Sequence, residues 1–509
     1  MVLAALMVLS LAACGEKTDT AAADNSDRAV NLSTLAALTT FDDCQTNNIQ
    51  DEFVLYQTND YLYWLNGKTL EVEPRVSDSW TWSEDGTELT LHVRKGVKFH
   101  NGKEVTADDV LFSLQRSAED SHHAAKWTDC RFEKIDDENV KIILPAPNAG
   151  FLVSTAYHCA VVNKEEVEAA GEKFGTEPHT AGCGPYKWGK VESMDSYWEI
   201  EAFDDYYLGA PSIKKATYKP MAQAASGLIA FEAGELDWYI APMANWDELT
   251  ANEKYNTELV AANHQSYLTI NYTNGELKDE NLRKAIAYAI NKEECNDVAY
   301  SGMAKIANFM YDPDNNVGAP DNGVTYNYDP EKAKEYLAKS SMPNGGKLSG
   351  ALQCSAGGYF EKIATVVQQN LSAIGLEIEV TPYQSATNME MMRENNYFMG
   401  ISGGSPVGDY SGINSWFLSA TSYGHLIGEK ADPSVFDEAT MWELYNAGGQ
   451  LGLTNEQRKE AYQKFNDYVM ERAVYIPIFH KVQPYVWTKD LNVPYNYQDY
   501  YQLREWSWN

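Results

Sequence analysis

Residues 361–380 contain the pattern that most restricts the fold of this chain. Apolar side chains recur at helical spacing through residues 361–374, so that one face of the predicted helix is apolar. Gly375 ends that helix, and the next residues alternate between apolar and charged side chains, as in a half-buried strand. A helix that passes through one glycine into a strand is typical of α/β folds, and the sequence therefore predicts an α/β fold.

Other segments repeat this alternation of strands and helices. Residues 89–93 alternate as a strand does, and the Asn-Gly pair at residues 101–102 predicts a tight turn. Thr106 and Asp109 have the spacing of a capping box, which predicts the start of a helix. Residues 282–298 carry apolar side chains on one helical stripe, which predicts a helix over this range. We find no repeat of about 20–50 residues, so a solenoid or a propeller is not indicated.

The charge of the chain argues against some classes of partner. The 40 basic and 73 acidic side chains give a formal net charge of −33 over 509 residues. This charge would repel a duplex or an anionic lipid surface, so nucleic-acid binding is not expected. The length is enough for two or three domains of about 150 residues each. Aromatic residues, at 12%, are numerous enough to provide contact surface for a ligand as well as core.

The start of the chain has the composition of an export signal followed by a tether. Residues 1–13 are uncharged and almost wholly apolar, and they are shorter than the roughly 20 residues that span a bilayer, so they are interpreted as a signal peptide. The sequence around Cys14 resembles the lipobox of bacterial lipoproteins, although no Lys or Arg precedes the apolar run. The resemblance implies a lipidated Cys14, a flexible tether over residues 14–30 and an extracytoplasmic location on a membrane. The alternative is a buried helix with one thiol.

Six further cysteines follow, and the sequence leaves their state open. They are Cys44, Cys130, Cys159, Cys183, Cys295 and Cys354. None forms a C-x-x-C pair, so neither a zinc site nor a thioredoxin-type redox site is indicated. An extracytoplasmic location permits disulfides, but a chain of this length does not need them for its core.

Three short motifs resemble parts of catalytic or metal sites, and each lacks what the chemistry needs. Residues 400–404 match G-x-S-x-G around Ser402, but a proline and glycines follow, so a glycine-rich turn is predicted instead of a nucleophile elbow. Residues 312–316 begin like a calcium loop but its later glycine and glutamate are missing, which indicates a solvated turn. His122 and His123 have no further ligand at fixed spacing. The sequence therefore indicates no catalytic residue, no metal site and no cofactor.

Long sequence blocks in a fixed order connect the chain to a known family. Residues 74–80 read PRVSDSW, and residues 91–103 read LHVRKGVKFHNGK. Further blocks lie at residues 106–110, 182–187, 231–237, 282–291 and 474–480. Together they closely resemble the family-5 extracellular solute-binding proteins, which are the peptide- and nickel-type receptors of ABC importers. One departure is Cys183, where the family usually has a threonine.

The resemblance implies a two-lobed fold of the periplasmic-binding-protein type. Lobe I would contain residues 31–266 and 481–509, and lobe II would contain residues 267–480. The chain would cross between the lobes near residues 267–269 and near residues 478–480, and these two crossings would form a hinge. A ligand would then bind in the cleft between the lobes.

The resemblance also implies the partners of the chain. It would be a monomeric receptor that delivers a peptide to separate permease subunits and ATPases, since it has no phosphate loop of its own. Two alternatives keep the fold but change the ligand: an oligosaccharide, which the aromatic residues favour, or a chelated metal such as nickel, which His425 favours. An alternative of another class is a secreted α/β hydrolase that uses Ser402.

Residues 408–417 provide the predicted ligand contacts of lobe II. In oligopeptide-binding relatives an Asp-Tyr pair at this place accepts the α-amino group of the peptide, so the resemblance implies that Asp409 binds the amino terminus. A buried ammonium needs a charged partner, and a carboxylate gives it strong hydrogen bonds. Tyr410 and Trp416 would form walls of the site. The alternative is that Asp409 only caps a turn in a glycine-rich loop.

A second predicted contact region lies where the helix over residues 361–374 begins. Two glycines precede Tyr359, and free N–H groups at a helix start attract anions. Dipeptide-binding relatives carry an arginine here for the peptide carboxylate, whereas this chain offers only Lys362. The sequence therefore predicts Lys362 as the carboxylate partner and leaves Tyr359 as either a ligand contact or a core residue.

Overall fold

The computed structural model describes residues 28–509 except 47, 222, 406–407, 419–423 and 496–499, and the side chains of residues 125 and 415 are likewise left out. The predicted signal peptide, Cys14 and most of the tether lie outside the described residues. The strands are β1 (Val30–Thr34), β2 (Tyr63–Leu65), β3 (Val72–Pro74), β4 (Ser77–Trp82), β5 (Glu88–Val93), β6 (Arg131–Lys134), β7 (Asn139–Ile143), β8 (Tyr186–Ser193), β9 (Tyr197–Ala202), β10 (Lys215–Pro220), β11 (Trp238–Ile240), β12 (Tyr255–Ile270), β13 (Lys305–Ile306), β14 (Gly346–Ser355), β15 (Leu376–Tyr383), β16 (Met399–Gly404), β17 (Tyr475–Thr488), β18 (Leu491–Asn492) and β19 (Ser507–Trp508). The α-helices are α1 (Ile49–Thr58), α2 (Ala107–Glu119), α3 (Phe151–Thr155), α4 (Lys164–Ala170), α5 (Ala224–Glu232), α6 (Trp246–Ala251), α7 (Glu280–Ala289), α8 (Lys292–Tyr300), α9 (Pro330–Ala338), α10 (Gly358–Ala373), α11 (Ser385–Arg393), α12 (Asn414–Phe417), α13 (Glu438–Gly448) and α14 (Asn455–Met470).

One long sheet connects the two halves of the molecule, and the predicted α/β class is confirmed. Its strands lie in the order β15-β14-β16-β12-β17-β11-β1-β10-β9-β8, and β13 pairs with β17. Parallel pairs join β14 to β15 and β16, and β1 to β10 and β11, whereas β12 and β17 are antiparallel. Helix α10 packs on β14 and β15 as the predicted helix, glycine and strand require.

The buried apolar residues divide between two lobes, as predicted. The largest core takes all its buried members from residues 267–482. The other cores draw theirs from residues 30–260 and 485–506. Each lobe therefore has a core of its own, and β12 and β17 run from one lobe to the other. The lobe boundaries after residues 266 and 480 stay a prediction.

The pairing of β12 with β17 is interrupted between the lobes. The two strands pair beside β11 in lobe I and beside β16 in lobe II, and between these parts the register shifts from Ala261 to Gln265. A bulge bends a strand and disrupts its ladder, which suits a hinge. We therefore expect the hinge at this bulge, a few residues before the predicted crossing at 267–269. His480, which lies in the second predicted crossing, pairs with Gln265, where regular pairing resumes after the bulge.

A separate sheet of four strands lies in lobe I. Its order is β4-β5-β7-β6, and α2 packs against it. Leu89, Leu91 and Val93 of β5 are buried in the core beneath it, which confirms the predicted strand. Helix α2 begins with the predicted capping box, since the Asp109 amide donates to the Thr106 hydroxyl and the Thr106 amide donates to the Asp109 carboxylate.

Two local predictions of secondary structure are wrong. The helix predicted over residues 282–298 is divided into α7 and α8, because Asn291 has an extended conformation and caps α8 with its side chain. Residues 400–404 form most of β16 instead of a turn, and Ser402 pairs with Tyr267 on β12. Ser402 thus lies within a strand and not at the strand-to-helix turn that a nucleophile elbow needs.

The turn at residues 312–316, predicted to be solvated, is buried at Asp312 and Asn316 and exposed at Asp314, and it contacts the bulge of β12. Asp312 is fully buried and accepts a hydrogen bond of 2.7 Å from the Lys305 ammonium. The Asn316 side chain donates to the Asn263 side chain at 2.9 Å, and Asn263 lies in the bulge of β12. The buried Asp312 carboxylate is thus paired with a lysine, as a buried charge requires.

The six cysteines after residue 30 are free thiols. Five of them are buried, and Cys130 is half-buried. Burial raises the pKa of Cys159 and Cys295 to about 12 and that of Cys130 to about 11, so these thiols are protonated at neutral pH. No helix in the described part of the chain is long and apolar enough to cross a membrane.

Candidate functional site

The two lobes meet along a seam where backbone lies against backbone. The Ala149 amide of lobe I donates a hydrogen bond of 3.0 Å to the Gly449 carbonyl of lobe II. Gly150 faces Asp409 so closely that a Cβ on Gly150 would lie 2.4 Å from Asp409 Oδ1. The lobes are therefore closed on each other at this seam, and Asp409 lies directly at the contact.

Strand β16 ends four residues before Gly408, and among the described strands one side of its end is unpaired. Residues 399–401 pair with β14 on one side and with β12 on the other, whereas residues 402–404 pair with β12 alone among the described strands. Further along, a Cβ on Gly408 would lie 2.7 Å from the Leu65 side chain of lobe I. The segment that follows this half-buried strand end therefore reaches lobe I, and the strand end leaves main-chain groups for a further extended segment.

An aromatic wall lies against this strand end. A Cβ on Gly404 would come within 2.4 Å of the Trp416 ring, so glycine allows the ring to pack directly on the backbone. The centroid of the Trp416 ring lies 5.2 Å from that of Tyr267 and 5.7 Å from that of Tyr311. The Tyr311 hydroxyl is buried and has no hydrogen-bond partner among the described residues. Trp416 itself is half-buried, and its contact with a ligand stays a prediction.

His264 connects the strand end to the second predicted contact region. It lies in the bulge of β12, with Nε2 3.1 Å from the Tyr359 hydroxyl and Nδ1 3.3 Å from Ser405 Oγ. Burial lowers the pKa of His264 to about 4, so the ring is neutral and has one donor and one acceptor nitrogen. Sequence reasoning misses His264, because a lone histidine in an irregular strand has no distinguishing spacing.

Asp409 is fully buried and already ion-paired. Arg458 of α14 donates two hydrogen bonds of 2.7 Å, one to each carboxylate oxygen. Oδ1 also accepts from the Ser411 amide at 2.8 Å, because Asp409 caps the 3-10 helix Tyr410–Ile413. The turn-capping alternative is thus observed. A ligand ammonium would have to share a carboxylate that Arg458 neutralises, so the amine role of Asp409 stays a prediction.

Two other predicted residues lie away from the strand end. Tyr410 is fully buried in the core of lobe II, where its hydroxyl faces Asn466, so it is not a wall of the cleft. Lys362 is exposed on α10, and no described contact joins it to Tyr359 or to Trp416. Of the predicted contacts, the structure therefore brings Tyr359 and Trp416 to the strand end.

A cavity of 790 Å³ opens along the seam between the lobes. Its wall in lobe I includes Lys126, Pro147 and Phe151, and its wall in lobe II includes Trp442 and Tyr445. The volume lies within the range of about 300–1,000 Å³ that is usual for ligand pockets. Lys126 is the only lysine or arginine in the described lining of this cavity.

Sequence comparison identifies relatives that cover most of the chain. The family described as "Bacterial extracellular solute-binding proteins, family 5 Middle" matches residues 71–424. Heme-binding protein A of Haemophilus influenzae is 26% identical over 444 residues, which cover 81% of this chain and 79% of that protein. Glutathione-binding protein GsiB of Escherichia coli strain K12 is 26% identical over 459 residues, which cover 86% of each chain.

Solved structures share the fold at lower identity. HbpA2 from Haemophilus parasuis has a TM-score of 0.82 and 22% identity, over 94% of this chain and 99% of that chain. NikA from Brucella suis, in complex with Fe(III)-EDTA, has a TM-score of 0.82 and 19% identity, over 95% of this chain and 100% of that chain. The oligopeptide-binding protein AppA from Bacillus subtilis, in complex with a nonapeptide, has a TM-score of 0.74 and 20% identity, over 95% of this chain and 99% of that chain. These likenesses confirm the predicted two-lobed fold.

Proposed function

Because this chain belongs to the bacterial extracellular solute-binding proteins of family 5, we propose that it is the receptor of an ABC importer and that it captures a peptide. The family consists of binding proteins that act outside the cytoplasm. The ligand would be held between the lobes and then delivered to permease subunits and their ATPases. Release would require the lobes to part at the bulge of β12.

The one-sided end of β16 supports a peptide most directly. An extended peptide can add to an open strand edge through main-chain hydrogen bonds, while neighbouring pockets hold its side chains. Residues 402–404 offer such an edge, with Trp416 against it and Tyr359 linked to it through His264. An oligosaccharide or a metal chelate has no main chain that could pair with a strand. A peptide therefore fits this edge better than the other two ligands.

Calorimetry on the full chain tests the peptide assignment. The panel contains glutathione, a tripeptide, a nonapeptide, maltotriose, haem and Fe(III)-EDTA. We expect at least one peptide to bind, and at 100 times its Kd it should stabilise the fold by about 2.7 kcal/mol, which a thermal-shift assay detects. Binding of maltotriose, haem or the chelate without binding of any peptide would contradict the assignment.

Gly404→Ala tests whether the strand end is the binding edge. The new Cβ would displace the Trp416 ring, so peptide affinity should fall by about tenfold or more, which is about 1.4 kcal/mol. Gly400→Ala is the matched control. Gly400 lies in the same strand as Gly404, but a Cβ on Gly400 would lie 3.4 Å from its nearest atoms, which is an ordinary contact distance. Equal affinities of the two variants would exclude residues 402–404 as the edge.

We also propose that lipid on Cys14 anchors the mature chain. The lipobox-like sequence that precedes Cys14 motivates this proposal. Cys14→Ser should release the protein or leave it unprocessed, whereas Cys44→Ser should leave anchoring unchanged. Incorporation of labelled palmitate that persists in Cys14→Ser would contradict it.

We propose further that Ser402 has no catalytic role. Its place inside β16 does not provide the exposed turn that activates a serine nucleophile. Hydrolysis of ester or peptide substrates by the full chain, if it is lost in Ser402→Ala, would instead support the hydrolase alternative.

A further inference from the structure

Lys126 is a cation in the wall of the cavity between the lobes. It belongs to the 3-10 helix Ala124–Trp127 of lobe I and is half-buried. Its backbone amide donates to the His123 carbonyl at 2.9 Å, but its ammonium makes no hydrogen bond and no ion pair with any residue in the described part of the chain. A buried charge without a direct partner is unfavourable, and such groups in a ligand cavity are candidates for binding an opposite charge.

The groups around Lys126 act on it only at longer range. Glu52 of α1 attracts it through space, while the Glu52 carboxylate lies 3.8 Å from Nε2 of His123. The ring centroids of His123 and His158 lie 4.4 Å apart with the rings tilted by 37°. Burial lowers the pKa of both histidines, to about 4 for His123, so neither ring carries charge at neutral pH. Asp129 also lines the cavity but is exposed. The ammonium of Lys126 therefore lacks a contact partner.

The rest of the cavity combines apolar and amide side chains. Pro147 and Phe151 of lobe I and Trp442 of lobe II supply apolar surface, and Asn446 and Gln450 supply amides. This lining suits a ligand that carries an anionic group next to an apolar side chain. A carboxylate would give Lys126 a short, charge-assisted hydrogen bond in a setting from which water is partly excluded.

We propose that Lys126 binds a carboxylate of the captured solute in the cavity between the lobes. This inference rests on the proposed function, because it takes the solute to be a peptide whose carboxylate is either its carboxy terminus or an acidic side chain. It transfers to Lys126 the role that the sequence predicts for Lys362. Lys362 is exposed on α10 and is not part of the described lining of the cavity.

Calorimetry with matched ligands tests the assignment. The first pair is the tripeptide Gly-Phe-Ala as the free acid and as the amide, which tests a terminal carboxylate. The second pair is Gly-Glu-Ala amide and Gly-Gln-Ala amide, which tests a side-chain carboxylate. Glutarate and glutaramide form a third pair that contains no peptide. The proteins are the wild type, Lys126→Met, Lys126→Arg and Lys362→Met, with Lys134→Met as a control that removes one surface charge of the same lobe.

In at least one pair, we expect the wild type to bind the acid with an affinity about 30-fold higher than that for the matching amide. Lys126→Met should lose this preference, whereas Lys126→Arg and Lys134→Met should keep it. Preference for glutarate without binding of any peptide would support the carboxylate site and contradict the peptide function. The proposal is overturned if the wild type has no preference in any pair, or if Lys362→Met loses the preference while Lys126→Met keeps it.

The pH profile gives a second readout that a purely structural lysine would not affect. Burial lowers the pKa of Lys126 to about 8, so the ammonium loses its proton as the pH rises through this value. Affinity for the preferred acid should therefore fall between pH 7 and pH 9.5, and affinity for its amide should not. In Lys126→Arg the fall should be absent, because a guanidinium stays charged in this range. His123 and His158 stay neutral across this range, because burial lowers the pKa of both. A parallel fall for acid and amide would contradict the proposal.

Discussion

Arg458 and Asp409 form a bidentate ion pair inside lobe II, with two N–O distances of 2.7 Å. The Asp409 side chain is 0% exposed and that of Arg458 is 5% exposed. The pair fixes α14 to the segment that follows β16, and Gly150 of lobe I closes over the carboxylate. The ion pair therefore lies directly beneath the contact between the lobes.

Asp409→Asn should destabilise the protein even without a ligand. The substitution leaves the buried Arg458 guanidinium without its counter-ion, and removal of one partner of a buried pair typically costs about 3–5 kcal/mol. Urea denaturation of the wild type and the variant measures this loss. The double variant Asp409→Asn with Arg458→Met should lose less stability than the sum of the losses in the two single variants, because both substitutions remove the same interaction. Additive losses would show that the pair contributes little.

The amine role predicted for Asp409 can be tested in the same proteins. If Asp409 also binds the peptide ammonium, acetylation of the peptide should weaken binding to the wild type, by about 2–5 kcal/mol in free energy, and should change binding to Asp409→Asn much less. If acetylation leaves wild-type affinity unchanged, Asp409 has only its structural role with Arg458.

Gly150→Ala should keep the lobes from closing fully. Its Cβ would lie 2.2 Å from Ser411 Oγ and 2.4 Å from Asp409 Oδ1, and both of these atoms belong to the opposite lobe. We expect a larger radius of gyration by small-angle scattering with saturating ligand, and an affinity lower by about tenfold or more. The wild type should become more compact when ligand is added, because hinge closure buries the ligand.

Gly449→Ala is the matched control for this variant. Gly449 lies on the same seam and accepts the backbone hydrogen bond of Ala149, but its Cβ would have its nearest neighbour at 3.5 Å. The radius of gyration with saturating ligand should remain that of the wild type. An identical radius of gyration for Gly150→Ala and Gly449→Ala would show that the seam tolerates extra volume.

Local patterns predict the parts of this fold that local interactions determine. The alternation of Leu89, Leu91 and Val93 and the capping box at Thr106 are both present as predicted, because burial of one face and satisfaction of helix N–H groups depend on neighbouring residues. The apolar stripe over residues 282–298 does not reveal the break between α7 and α8. Both helices bury their apolar side against one core, so the periodicity continues through the break.

The site is less predictable, because its residues come together only in the folded chain. Tyr359 and Trp416 were identifiable from family resemblance and local glycines, and both reach the end of β16. His264 and Lys126 have no local pattern, since their environments depend on a strand bulge and on the opposite lobe. Sequence also cannot show that Arg458, far along the chain, occupies the Asp409 carboxylate.

Asp43→Asn should stabilise the protein at neutral pH. Burial raises the pKa of Asp43 to about 7, and its carboxylate accepts a hydrogen bond of 2.7 Å from the Tyr61 hydroxyl. Between about pH 4 and pH 7 the folded state binds a proton that the unfolded state has lost, so the free energy of unfolding falls as the pH rises through this window. Asparagine avoids that loss and can still accept from Tyr61. We expect a gain of about 2–4 kcal/mol at pH 7.5 and little change at pH 4 in urea denaturation. If Asp43→Asn is less stable than the wild type at pH 7.5, the raised pKa of Asp43 is contradicted.

Acidification should destabilise the fold in part through His100. Its Nε2–H donates to the Gly184 carbonyl at 3.0 Å, and burial lowers its pKa to about 4, compared with about 6.5 in an unfolded chain. Between these values the unfolded state binds a proton that the folded state does not. The free energy of unfolding therefore falls as the pH drops through this window, by about 2 kcal/mol at pH 5 for this one residue. His100→Gln should lack this contribution, because glutamine does not titrate, whereas exposed His122→Gln should behave as the wild type. Urea denaturation at pH 7 and pH 5 measures the difference, and an equal loss of stability in the wild type and in His100→Gln would show that His100 is not a source of the acid sensitivity.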